Sequence, residues 1–351
     1  MARPQQHERG GSRAVPVKTR ANRARVFLTH PPAALAGYFG DKALDELRAF
    51  ADVTLNPHER ELSMAELIAA AQGHDVIISY RQTPGEAVIF DSLPDLIAFQ
   101  RVAVDIRNID VAAANAHGVL VARASPGFVP AVAEWIVGAM IDAARHTTDY
   151  AATYRGGAVP AARMGGQLQG ATVGVVGYGA IGGRLCTVAE ALGMRVLVHD
   201  PYKAVPPPLE QVELTRLLAE SDYVVPLAVA TAETENLIDA TALARMKPSA
   251  WLINASRGNL VDETALEQAL DARRIGGAAM DVGRAPDEMP SPHLAQRPDV
   301  IATPHVGGLT PEAIEHQALE AVRQCAVIVR GEAPDGAVNA ESATRLSRLR
   351  A

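Results

Sequence analysis

Residues 172–200 constrain the fold of this chain more than any other stretch. Thr172-Val173-Gly174-Val175-Val176 is a short apolar run, as expected of a parallel strand buried on both faces. Gly177-Tyr178-Gly179-Ala180-Ile181-Gly182 follows it, and Arg184 to Leu192 then reads as a helix. At such a strand-to-helix turn the first glycine permits the tight turn and the second lets main chain approach a pyrophosphate. The third lets the helix pack closely on the strand, while the helix N-terminus supplies free N–H groups and partial positive charge. A second apolar run, Arg195 to His199, ends on Asp200, about 20 residues beyond the turn. That spacing sets a carboxylate against the adenosine ribose hydroxyls, and Asp200 would repel a 2′-phosphate. The pattern therefore calls for NAD rather than NADP.

The rest of the chain alternates strand and helix patterns, which implies an α/β architecture of parallel strands joined by helical crossovers. A first series runs from Val26-Phe27-Leu28-Thr29 to Val119-Leu120-Val121, and a second from Thr172 to about Thr303. Tyr154–Gly170 is glycine-rich and reads as a connection. Phe128 to Arg145 is a long helix, apolar around most of its circumference. It suits a bridge between domains, a subunit interface or a buried position inside one domain. A last helix opens at Thr310-Pro311-Glu312, with Thr as cap and Pro in the first turn. With the glycine turn near mid-chain, the cofactor domain is expected to be inserted between two pieces of another. The boundaries expected are 25–125 with 309–338 for the substrate domain, 126–308 for the NAD-binding domain, and a loose tail at 339–351.

Composition narrows the function classes. The first 25 residues carry seven Arg or Lys and one Glu, without an apolar pattern; residues 1–24 read as a disordered basic extension, with an organellar transit peptide as the minor alternative. A formal charge of −7 and the lack of a basic stripe elsewhere argue against nucleic acid as a partner. No apolar run approaches the roughly 18 residues needed to span a membrane. Two cysteines, Cys186 and Cys325, are too few for a disulfide framework or a thiolate metal site, so the expected compartment is the cytoplasm, with no metal bound.

Two side chains carry candidate chemistry. Arg257, in Asn254-Ala255-Ser256-Arg257-Gly258, follows a strand, and in an open parallel sheet the crevice at the carboxyl ends of strands is where ligands bind. A guanidinium fork suits a carboxylate and can polarise a neighbouring carbonyl. His305, in Thr303-Pro304-His305-Val306-Gly307-Gly308, also follows a strand and can exchange a proton near neutral pH. By position alone, Arg257 could equally be a surface arginine, and an isolated His305 is more readily a solvent-facing or capping residue.

Taken together and in order, these segments, with Asp200-Pro201-Tyr202, Met246-Lys247-Pro248, Val261-Asp262-Glu263 and Asp281-Val282, resemble the D-isomer-specific 2-hydroxyacid dehydrogenases over about residues 75–330. The resemblance implies two Rossmann-like doubly wound domains with a cleft between them, and a homodimer built around the cofactor domain. It implies that Arg257 binds a 2-oxo acid while His305 protonates its carbonyl oxygen as NADH delivers hydride. Asp281 would hold the nicotinamide carboxamide; Ala228, Ala255 and Ser256 would line the same half of the cofactor, and Arg257, His305 and Gly307 would also contact the cofactor. Val104 and Asp105 match the loop whose N–H groups receive the substrate carboxylate, and Arg81, beyond the strand Val76–Ser79, is a further candidate for the substrate.

The chain departs from the family pattern in two places. A glutamate five residues after the Asp of the Asp-Val pair usually orients the histidine; that position is Pro286, and Asp287 is the expected substitute, with Glu288 the alternative. Without a neighbouring carboxylate the histidine would be a weaker acid catalyst at pH 7. In Val102-Ala103-Val104-Asp105-Ile106-Arg107-Asn108, Ala103 and Asp105 replace two glycines and Arg107 replaces an Asp. The acid at Asp105 needs a partner, with Arg107 and Arg81 the candidates. An NAD-dependent reductase of a small 2-oxo acid is the leading expectation; a dehydrogenase of formate or phosphite, or an NAD-sensing regulatory protein, are the alternatives.

Overall fold

The computed structural model describes residues 23–349, so the expected basic extension lies outside the described residues except for Arg23 and Ala24. The chain divides into two compact units, one running to Ser125 and resuming at Glu315, the other Pro126–Ile314. The second boundary, expected after residue 308, instead falls after Ile314, within the helix Pro311–Ile328.

The first unit is built on five strands: β1 (Arg25–Leu28), β2 (Asp52–Leu55), β3 (Val76–Ser79), β4 (Ala98–Arg101) and β5 (Leu120–Arg123). All pair in parallel, in the order β2-β1-β3-β4-β5. Side chains alternate between two apolar layers: Val26 and Leu28 pack on one face of the sheet, Phe27 on the other. The helix Met64–Ala71 opens with a capping box in which Ser63 and Glu66 each satisfy the other's main-chain N–H.

His30, two residues beyond β1, is only 2% exposed and lies between the rings of Phe39 and Tyr80, at 5.4 and 5.2 Å between centroids. Neither of its ring nitrogens has a hydrogen-bond partner. Burial, and after it the Arg101 charge, lower its pKa to about 3. The unfolded chain therefore takes up a proton near pH 6.5 that the folded chain refuses, and stability falls as pH drops from about 6.5 toward about 3. Between pH 7 and 5 the loss from this residue is expected to be about 2 kcal/mol. Urea unfolding of wild type and His30→Phe at the two pH values checks it: the substitution should shrink the pH difference by that amount.

The segment 339–351 is not the loose tail expected from its composition; residues to 349 are packed on the first unit. Asn339 is buried, its Oδ1 accepting from Val121 N at 2.7 Å and its Nδ2 donating to Val119 O at 3.0 Å. Val338 N donates to Val121 O at 2.8 Å, Arg123 N to Gly336 O at 3.0 Å, and Ala343 and Leu346 join the core. Polar side chains here satisfy the outer edge of β5, which composition alone cannot reveal.

The second unit holds seven parallel strands: β6 (Thr172–Val176), β7 (Arg195–His199), β8 (Glu210–Gln211), β9 (Tyr223–Pro226), β10 (Trp251–Asn254), β11 (Gly277–Met280) and β12 (Val300–Ala302). Their order is β12-β11-β10-β9-β6-β7-β8, so the chain winds outward in both directions from the β6/β9 boundary. The long helix α1 (Val129–Arg145) buries Val132, Ile136, Ala139, Met140 and Ala143 in this unit's own core, the intradomain alternative. It packs against α2 (Ala180–Ala191), which begins four residues before the expected start, so that Gly182 lies inside its first turn.

Candidate functional site

Six neighbouring strands of the second unit deliver candidate residues at their carboxyl ends. In sheet order, β12 leads to His305, β11 to Asp281, β10 to Ala255, Ser256 and Arg257, β9 to Ala228, β6 to Gly177 and β7 to Asp200. With strands about 4.8 Å apart, the row spans about 24 Å along one rim of the sheet. This rim includes the switch point between β6 and β9, where open α/β sheets bind ligands.

At that switch point Gly177 has φ +103, and a Cβ there would stand 2.7 Å from the Ala228 nitrogen. No other residue fits without moving β9's exit. A Cβ on Gly182 would meet the Gly177 carbonyl oxygen at 2.3 Å, whereas one on Gly179 would meet nothing within 4 Å. The turn is therefore closed on its protein side and open above Gly179, where the N–H groups of Ala180 and Ile181 begin α2. That shape fits a pyrophosphate. Asp200 accepts main-chain N–H groups from Tyr178 at 2.8 Å and from Tyr202 and Lys203 at 2.9 Å each. Burial raises this carboxyl, but the three donors and the Lys203 charge outweigh it and hold it below the usual aspartate range. A hollow beside it is lined by His199, Pro201, Val212 and Arg216.

At the other end of the rim, Asn254 shapes the turn that carries Arg257. Its Oδ1 accepts from Ser256 N at 3.1 Å and its Nδ2 donates to Arg257 O at 2.9 Å; Ser256 Oγ lies 3.5 Å from Ala228 O. Asp281, buried, braces the histidine turn: its carboxylate accepts from Thr303 Oγ1 at 2.6 Å and from Val306 N and Gly307 N at 2.8 Å. The expected carboxamide partner is thus also the anchor of the loop holding His305.

The loop Gly283–Pro290 touches both candidate catalytic side chains. His305 Nδ1 lies 3.0 Å from the Asp287 carbonyl oxygen, and Arg257 Nε lies 3.5 Å from Glu288 Oε2. The Asp287 carbonyl oxygen, a partner the sequence does not announce, thus meets the His305 ring. The cause is the backbone: Asp287 and Glu288 take φ +58 and +56, so the chain turns its carbonyl toward the ring. His305 itself has φ +55; half of the six non-glycine residues with positive φ among the described residues meet here. Such conformations persist only where the surroundings impose them. Buried Glu263 supplies part of that support, accepting from Arg284 N at 3.0 Å and from the Ser291 hydroxyl. Asn254 and Glu263 were missed as supports, although for Asn254 a polar residue closing an apolar strand is a readable signal.

Arg81, Val104 and Asp105 belong to the first unit. Arg81 is exposed, its guanidinium 5.5 Å from the Tyr38 ring centroid. Asp105 is paired by Arg107, whose Nε and Nη2 lie 2.9 and 2.6 Å from Oδ2. Among the described residues no group of three or more His, Cys, Asp or Glu could hold a metal ion, and no helix is long and apolar enough to cross a membrane.

Comparison with known proteins gives a consistent result. Residues 137–307 match the family model described as D-isomer specific 2-hydroxyacid dehydrogenase, NAD binding domain. The chain is 37% identical over 259 residues to an (S)-sulfolactate dehydrogenase of Chromohalobacter salexigens, covering 72% of this chain and 83% of that protein. It is 35% identical over 283 residues to a D-3-phosphoglycerate dehydrogenase of a Synechocystis strain, covering 79% of this chain and 51% of that protein. The chain thus spans about half the length of the phosphoglycerate dehydrogenases it matches. The crystal structure of the TT0316 protein from Thermus thermophilus superposes with a TM-score of 0.80 at 31% identity, over 90% of this chain and 99% of that one. Fold, rim and sequence agree, and the chain belongs to the D-isomer-specific 2-hydroxyacid dehydrogenase family.

Proposed function

We propose that this protein reduces a small 2-oxo acid with NADH, Arg257 anchoring the substrate and His305 acting as the acid. The supporting observation is that one turn, Asp287–Glu288, contacts both side chains. Arg257 binds the carboxylate and polarises the oxo group. With Nδ1 held by the Asp287 carbonyl, Nε2 of His305 is the nitrogen that gives its proton to the carbonyl oxygen. Bound NADH supplies the hydride to the carbonyl carbon. In the first unit, the main chain at Val104 and Asp105 contributes N–H groups to the carboxylate, and Arg81 a second cation. The names of the relatives, phosphoglycerate and sulfolactate dehydrogenases, favour an oxo acid with a second anionic group.

NADH consumption over a panel of oxo acids tests this reading: glyoxylate, pyruvate, hydroxypyruvate, a phenyl-substituted acid, and the oxo forms of phosphoglycerate and sulfolactate. Turnover is expected with NADH and at least about tenfold less efficiently with NADPH, because Asp200 repels the 2′-phosphate. NADH binding without turnover of any acid would favour a sensor instead. A homodimer is likewise proposed. It is supported by exposed apolar side chains such as Val159 (84%) and Met164 (96%), and light scattering tests it.

A further inference from the structure

Arg101 ends β4 with its side chain fully buried, in register beside Ser79 of β3. A guanidinium removed from water is costly unless its N–H groups are satisfied. Here Nη1 donates to the Tyr80 carbonyl and Nη2 to Asn108 Oδ1, both at 2.5 Å, while Nε has no partner. Burial lowers the group to about 10, against the opposing pull of Asp105, so it is a cation at neutral pH.

Its two acceptors stand on different segments. Tyr80 immediately precedes Arg81, and Asn108 closes the loop that carries Val104 and Asp105. The same segments are laced by Gly85 N to Asn108 O at 2.9 Å and Asp110 N to Gly85 O at 2.8 Å. Tyr80 N donates to Thr29 Oγ1 at 2.9 Å, and that hydroxyl lies 2.7 Å from Thr83 Oγ1. An apolar strut would brace these segments at less cost; a buried cation also adds its field to N–H groups that face an anion.

We propose that Arg101 is a positioning residue, holding Tyr80–Gly85 and Val102–Asn108 as one platform on which the N–H groups at Val104 and Asp105 receive the substrate's carboxylate. This rests on the reaction proposed above.

Steady-state kinetics of the full chain, with the oxo acid that the wild type reduces fastest, compare Asn108→Ala, Asn108→Asp and Arg101→Lys. Asn108→Ala is expected to raise KM for the oxo acid about tenfold, with kcat changed less than about threefold and KM for NADH unchanged. Asn108→Asp keeps an acceptor for Arg101 and is expected to return KM to within about threefold of wild type. Arg101→Lys keeps the charge but loses the fork, and should track Asn108→Ala. A wild-type KM in Asn108→Ala overturns the proposal, as does an Asp variant no better than Ala. Hydrogen exchange of residues 80–85 and 102–108, read without substrate, should quicken in Asn108→Ala; unchanged exchange overturns the platform. A wild type that reduces no oxo acid overturns the proposed reaction, while exchange still judges the platform.

Discussion

Arg257→Ala is expected to lower kcat/KM for the 2-oxo acid by about 10²-fold while NADH still binds. Truncating one partner of a hydrogen-bonded charge pair costs about 2–5 kcal/mol, or roughly 30- to 4,000-fold. The Arg257 side chain is 33% exposed, so solvent screening argues for the lower part of that range. Arg257→Lys should recover little, because an ammonium cannot present two parallel N–H donors to a carboxylate. Fluorescence titration with NADH separates the roles: the dissociation constant should stay within about threefold of wild type. Unchanged kcat/KM in the alanine variant would remove Arg257 from the reaction.

His305→Ala is expected to act on kcat instead, lowering it by about 10²–10⁴-fold, the usual worth of a positioned acid. KM for the oxo acid should change little, since the ring meets the substrate's oxygen only as the proton moves. Residual turnover above background is expected, since hydride transfer still gains from orientation. A variant with wild-type kcat would assign the proton to another donor, and the Asp287–Glu288 turn would then serve Arg257 alone.

Most strands were readable because they are short, apolar and buried; Val173 to Val176 and Leu252 to Ile253 carry that signature plainly. β8 escaped notice because it is two polar residues, Glu210–Gln211, at a sheet edge. The rim was readable wherever side-chain chemistry or a glycine defined it, as at Asp200, Gly177, Arg257 and His305. It was not readable where main chain does the work. Left-handed backbones at Asp287, Glu288 and His305 bring the Asp287 carbonyl to the His305 ring, a contact that no side-chain pattern announces. Arg101 was overlooked for a related reason: an arginine ending an apolar run reads as surface, and only the fold shows which acceptors surround it.

The ordered segment after Gly336 has a consequence outside catalysis. β5 is the last strand of its sheet, and a bare strand edge offers a ladder that another molecule can extend. Val338 and Asn339 occupy that ladder from outside, taking the hydrogen bonds of Val121 and Val119 that a foreign strand would seek. A chain shortened before this segment would keep its glycine turn and its Arg257–His305 pair intact, yet become adhesive through a surface that takes no part in the chemistry.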